Sequence, residues 1–257
     1  MATNDLNDID GFILREFKYK ETSKILEIFA KDLGRISILA RGVFKKNSSL
    51  LGLTNRFSKV NLSLYKSGKD FYGIREGSLI SSYKKSSRNF DIMVYKSAIC
   101  DLLLKTIDDT QVGEVYMLLD RTFEAFEKSD SNYINIFLSF LIKYVSFSGL
   151  KPNFSTCGRC GKVIRDGRAY FSISEASLVC EDETIRDKIY LDRNELTYFL
   201  RLLYTSSDEL YKIKLAKDYQ KVGRLIIDYC LNKLDLRNFS SMDWVYKNLS
   251  ERNINVL

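Results

Sequence analysis

The chain has 257 residues, 45% hydrophobic and 13% aromatic, long enough for two domains and too apolar for a disordered or collagen-like protein. Histidine is absent, so the commonest general base and the usual partner of a nucleophilic Ser or Cys are both missing. The net charge of +7 is unevenly placed: residues 1–90 hold 17 Lys and Arg against 9 Asp and Glu, while residues 91–257 hold 23 against 24.

A basic module joined to a neutral body points to a polyanionic partner, with nucleic acid foremost and a lysine-rich solubilising surface as the bland alternative. The N-terminus lacks a basic segment followed by an apolar run, and no apolar stretch of about 18 residues is expected, so neither secretion nor membrane spanning is predicted. Five cysteines, an odd number without a signal peptide, fit a reducing cytoplasm better than a disulfide framework.

From residue 10 to about 82 the pattern is one of short strands. "GFILREFKY" alternates in part, and "SKILEIFA", "GRISILARG", "FSKVNLSLY" and "FYGIREGSLI" follow, with turn signals at Gly34 and Gly68. Five strands with tight turns and no long helix among them match a small closed barrel, which leaves no exposed edges.

After Ser87 the period becomes helical, through "FDIMVYKSAICDLLLKTI", "VGEVYMLLDRTFEAFEK" and "NYINIFLSFLIKYVSFSG". The third of these is apolar almost all round and is predicted to sit at the centre of a bundle, ending near Gly149 and Pro152. Helical spacing returns in "LDRNELTYFLRLLY", where Asp192 and Glu195 have capping-box spacing, and continues through "AKDYQKVGRLIIDYCLNKL" to a short helix near "SMDWVYKNL". The predicted organisation is a basic barrel over 1–82, a helical domain over 83–152 and 190–257, and an insertion over 153–189.

The insertion carries Cys157, Cys160 and Gly161, a C-x-x-C-G turn in which backbone amides can point at thiolate sulfurs. Cys180 follows at zinc-ribbon spacing, but the position three further on, where a fourth cysteine is expected, is Glu183. A three-thiolate, one-carboxylate site for one structural zinc is chemically possible, and Glu181, Asp182 or water could take the fourth place. The competing reading is an insertion that has lost its metal and is held by packing, with Cys180 a small buried hydrophobe. A redox dithiol is weaker, because the motif does not open a helix after a strand, and Cys100 and Cys230 read as core residues.

In the barrel, Arg15, Lys18, Lys20 and Lys24 surround the first hairpin, Arg35 and Arg41 share a face of the third strand, and Lys45 and Lys46 follow in the loop. Phe17, Tyr19, Phe44, Phe57 and Tyr65 interleave with these charges, as in barrels that stack single-stranded bases, although each aromatic taken alone is a better candidate for core. No base-reading helix is present, so little sequence preference is expected.

The order of these features resembles the RecO family of DNA repair proteins. It is carried by Tyr19, Glu21, Thr22 and Ser23, by the "GRIS" turn, by "ARG" leading into a basic serine-containing loop, and by "YFSISEASLVC" after the C-x-x-C. The resemblance implies an α+β protein with an N-terminal OB-fold barrel and a helical domain carrying a zinc-ribbon-like insertion. It also implies a cytoplasmic, nucleoid-associated recombination mediator without catalytic residues. Such a protein binds single- and double-stranded DNA, anneals complementary strands, and acts with RecR and single-stranded-DNA-binding protein (SSB) to load RecA.

Carried onto this chain, the resemblance gives Arg15, Lys18, Lys24, Arg35, Arg41, Lys45 and Lys46 as DNA contacts and Cys157, Cys160 and Cys180 as metal ligands. Glu183 departs from the fourth cysteine of many family members. A zinc or dithiol enzyme acting on nucleic acid is the alternative class, opposed by the missing histidine, P-loop and H-x-E deaminase signature. A structural adaptor with an incidental basic face is the other.

Overall fold

The structure, a computed structural model, describes residues 5–107, 111–164, 169–215, 217, 219–237 and 239–251. The chain falls into two compact units, residues 1–123 and 124–257.

The first unit is built on five strands, β1 Leu6–Tyr19, β2 Ser23–Ala30, β3 Gly34–Ala40, β4 Lys59–Lys66 and β5 Tyr72–Ser81, closed into a barrel in the order β1-β2-β3-β5-β4. Gly34 and Gly68 both have positive φ, at 68° and 96°, as their turns require of a residue without a Cβ. Alternation puts Ile13, Leu26, Ile28, Ile38, Val60, Leu62 and Leu64 inside the barrel. A bulge between Ile13 and Arg15 bends β1. A single helical turn, α1 Leu50–Leu53, lies in the long β3–β4 connection.

Two helices complete this unit, α2 Phe90–Thr106 and the first part of α3 Val112–Lys128. One end of the outer barrel face is covered by them. Phe12 and Phe29, paired across β1 and β2, meet Tyr116, and Phe12 also meets Phe123 and Tyr83 at ring distances of 5.5 and 6.1 Å. Phe57 completes the cluster against Phe123. Lys59 is drawn into an ion pair with Asp120 of α3 at 2.7 Å.

The second unit centres on α4 Tyr133–Val145, nearly all of whose residues are buried, as its unbroken apolarity predicts. With the turn that follows, Tyr133–Leu150 has the length and apolar composition of a membrane-crossing helix, which corrects the expectation that no such stretch exists. Sixty-one per cent of it is buried inside the protein. Its polar groups are matched to neighbours rather than to lipid. Asn135 donates to the Ile213 carbonyl and accepts from the Tyr198 hydroxyl, and Ser139 donates to the Leu202 carbonyl.

Against α4 pack α5 Arg193–Tyr204 and α6 Tyr219–Lys233, and α7 Asp243–Glu251 packs on α6. The capping box opening α5 is complete: the Asp192 carboxylate accepts from the Glu195 amide, and the Glu195 carboxylate accepts from the Asp192 amide. Asp192→Ala is expected to cost about 1 kcal/mol of stability, measured by denaturant unfolding, because two helix-terminal amides lose their acceptor.

A four-stranded sheet, β6 Asn153–Cys157, β7 Ala169–Ser172, β8 Ser177–Val179 and β9 Lys188–Leu191, is inserted between α4 and α5 in the order β6-β8-β7-β9. Phe154 and Phe171 of this sheet pack on Phe199, and Phe171 also packs on Tyr229 of α6. The sheet is therefore part of the second unit's core. The fold class is α+β, a closed barrel followed by helices that carry a cysteine-bearing insertion.

Candidate nucleic-acid interface and metal centre

Past Arg15 and Arg35, which reach Asp101 and the Leu104 carbonyl of α2, the outer face of β1, β2 and β3 carries half-buried and exposed side chains. Phe17 stands opposite Ile25, which stands opposite Leu39, and Phe17 is 45% exposed. Tyr19, next on the same side of β1, is 39% exposed. The loop after β3 folds back so that the Phe44 amide donates to the Thr22 carbonyl, which brings Phe44, 42% exposed, beside the first hairpin. The Lys18 ammonium lies 5.8 Å from the Phe44 ring centre, and Lys20 lies 5.4 Å from that of Tyr19. Three exposed rings and their flanking cations thus gather at one end of the barrel. Phe57, by contrast, is core, and Tyr65 is half-buried opposite Gly73.

The seven cations expected at a DNA surface have different fates. Arg41, Lys45 and Lys46 are exposed in the loop, and Lys18 is exposed on the hairpin; none of the four is in an ion pair among the described residues. Lys24 is only 7% exposed: it points the same way as Leu26 and Ile28, binds the Glu16 carboxylate and donates to the Thr54 carbonyl at 3.0 Å. Arg15 faces Asp101, which Arg56 also holds at 3.0 Å.

Arg35 donates to the Leu104 carbonyl at 2.7 Å and lies beside Glu27. It shares a side of β3 with Arg41, but the six intervening steps separate the two by about 20 Å at strand spacing. The structure therefore gathers Lys18, Arg41, Lys45 and Lys46 with Lys20, and leaves Arg15, Lys24 and Arg35 in intramolecular pairs.

In the second unit, the Cys157, Cys160 and Cys180 sulfurs lie within 4.8 Å of one another. The first turn is tight. Gly161, at φ 74°, donates to the Cys157 carbonyl, and the Cys160 amide points at the Cys157 sulfur at 3.5 Å. In the second turn the Glu183 amide donates to the Cys180 carbonyl, and Lys188 donates to the carbonyls of Glu181 and Glu183. The group that converges is three thiols, and no carboxylate, Glu183 included, joins it among the described residues.

The Cys160 and Cys180 sulfurs are 3.6 Å apart, close to the separation of about 3.8 Å that two zinc–sulfur bonds of about 2.3 Å make at a tetrahedral angle. Three soft donors preset at that spacing can hold a metal ion. Burial pushes the Cys157 thiol up, but the amides of Cys160, Cys180 and Arg159 outweigh it and hold it at about 7. Its neighbour Cys180, hydrogen-bonded to the Cys160 sulfur and partly desolvated, is pushed up to about 12. Asp187 braces the same sheet by accepting from Ser172 and from the Ser174 amide; burial raises its carboxyl, but these bonds hold it below the usual range. Cys100 and Cys230 are fully buried helix residues.

Comparison with known proteins agrees with this arrangement. The pattern described as "Recombination protein O N terminal" matches residues 5–83, and that described as "Recombination protein O C terminal" matches residues 87–242. Among similar proteins, the "DNA repair protein RecO" of Alkaliphilus metalliredigens is 27% identical over 238 residues, covering 91% of this chain and 96% of its own. The protein of that name from Caldanaerobacter subterraneus subsp. tengcongensis is 23% identical over 242 residues, covering 93% and 96%. That from Listeria monocytogenes serovar 1/2a is 25% identical over 199 residues, 76% of each chain. With its two patterns spanning most of the sequence, the chain belongs to the recombination protein O family of bacterial DNA repair proteins.

Proposed function

We propose that this protein is a recombination mediator without catalytic residues of its own, which binds single- and double-stranded DNA and anneals complementary strands. With RecR and SSB it promotes RecA loading in a cytoplasmic, nucleoid-associated setting. The observation that carries this reading is the exposed end of the barrel, where Phe17, Tyr19 and Phe44 stand among Lys18, Lys20, Arg41, Lys45 and Lys46. Rings accept bases of any sequence, and the cations neutralise phosphates and release counterions. Two strands lose their mutual repulsion when both lie in such a field, so annealing needs no bond-making residue.

Zinc is among the ions that thiolates favour, and Cys157, Cys160 and Cys180 would hold it; the fourth place, which Glu183 does not occupy here, would fall to water. When bound it supplies a structural cross-link between the two turns of the insertion. Cys157→Ser is expected to lower the bound zinc of the purified protein several-fold, read by elemental analysis; wild type without zinc would show the cluster to be empty in solution, and equal zinc in both proteins would remove Cys157 as a ligand.

The reading is tested by annealing complementary labelled oligonucleotides over a salt titration, without ATP, with the DNA bare or coated by SSB. Acceleration that fades with salt and persists on coated strands is expected. A protein that leaves the annealing rate unchanged at low salt would be an adaptor rather than a mediator.

A further inference from the structure

The first unit has a second cationic feature, separate in sequence from the hairpin and loop. A cavity of about 330 Å³ opens between the end of the β3–β4 connection and the segment leading into α2, lined by Arg56, Phe57, Ser82, Tyr83, Lys84 and Met93 among others. Its size is at the small end for a ligand pocket, suited to one residue of a polymer rather than to a duplex. The segment 82–90, "SYKKSSRNF", carries Lys84, Lys85 and Arg88 and no acid. Lys84 and Arg88 are exposed and in no ion pair among the described residues. Residues 84–86 fall between the two family patterns, which end at 83 and resume at 87.

The walls are held in an uncommon backbone state. Phe57 has φ 72° and Tyr83 φ 43°, both left-handed, and neither is glycine. Such conformations persist only where surrounding contacts over-determine them, and they concentrate at sites that bind or react. Here the Phe57 amide is fixed to the Ile13 carbonyl at 2.8 Å, and the Arg56 guanidinium lies 4.9 Å from the Phe57 ring centre. Arg56 is itself held by the Leu14 carbonyl and Asp101, so the cavity keeps an immobile planar cation beside apolar lining. Met93, on α2, adds an exposed, polarisable thioether.

We propose that this cavity is a second single-strand DNA site, which takes one unpaired nucleotide with its base against Met93 and the Arg56–Phe57 pair and its phosphates at Lys84 and Arg88. It deepens the annealing reading on which it rests. One connection, residues 41–58, serves both sites, since Arg41, Lys45 and Lys46 stand near its start and Arg56 and Phe57 near its end. The two strands to be paired are then held by one barrel.

The test counts strands per chain. A short fluorescent oligothymidylate, about ten nucleotides, is titrated into the full-length protein at concentrations well above Kd. Wild type is expected to saturate at two oligonucleotides per chain, and Lys84→Glu with Arg88→Glu at one, with annealing of complementary strands slowed at least tenfold. Met93→Asp, at an exposed position, is expected to give the same stoichiometry as that double variant. Saturation of wild type at one, or a double variant that keeps two and anneals at the wild-type rate, overturns the second site while leaving the mediator reading in place. Absence of any binding by wild type at low salt removes both.

Discussion

Arg41→Glu, Lys45→Glu and Lys46→Glu combined are expected to lower affinity for a single-stranded oligonucleotide on the order of a hundredfold at low salt and to flatten its salt dependence. The three cations are exposed, unpaired among the described residues, and carried by the loop that brings Phe44 to the first hairpin. Removing three phosphate contacts from a single-strand complex should reduce the slope of log K against log salt by about 2. Stability should change by less than roughly 0.5 kcal/mol, as for other surface substitutions. A fluorescence-anisotropy titration at several salt concentrations reads both quantities. Unchanged affinity and slope would remove the loop from the interface. Lys24→Ala should act differently: it leaves Glu16 without its partner and so affects folding more than binding.

The second large effect is on stability. Phe123→Ala is expected to destabilise the first unit by about 3–5 kcal/mol, because the ring touches Phe12, Phe57 and Tyr83 and is fully buried. Lys96, also fully buried, has its ammonium 4.9 Å from the centre of the same ring, so the deletion opens a cavity and weakens a cation–π contact at once. Since whole domains are stable by only about 5–15 kcal/mol, this one change takes a large share. A fall in Tm of roughly 12–20 °C is expected for a unit of this size, at about 4 °C per kcal/mol. A change below about 1 kcal/mol in denaturant unfolding would mean that the aromatic cluster does not close the barrel's outer face.

Much of this architecture was legible because its periodicities are simple. Alternation along β3 put Ile36, Ile38 and Ala40 on one face, the interior one, and the all-round apolarity of α4 announced a central helix; in β2, where Ile25, Leu26, Ile28 and Phe29 are all apolar, alternation did not separate the two faces. The Asp192–Glu195 spacing gave the capping box, and cysteine spacing gave the cluster. What resisted was the fate of residue types that serve two purposes. Phe57 and Phe17 look alike in sequence, yet one is buried against Phe123 and the other faces solvent, because only the position of α3 decides which part of the barrel is covered.

Lys24 reads as a surface cation by type, although its two-residue spacing from Leu26 and Ile28 placed it on the interior side. Arg35 and Arg41 share a face but not an end of their strand, and side-chain parity alone does not report that separation. Asp101 and Asp120 lie some 45 and 61 residues from the cations that they neutralise, Arg56 and Lys59, a distance that no local pattern spans.

The barrel closes through one bridging pair, Ile38 opposite Tyr72, where β3 meets β5 in parallel; every other neighbouring pair of strands zips along much of its length. A cylinder with one thin seam does not breathe evenly. Amide protons along β3 and the start of β5 should exchange with deuterium earliest of all the barrel amides, through partial openings that leave the β1–β2 and β4–β5 hairpins intact. Gly34 to Ala40, which leads directly into the cationic loop, would then be the part of the wall most able to yield when a polymer is threaded past it.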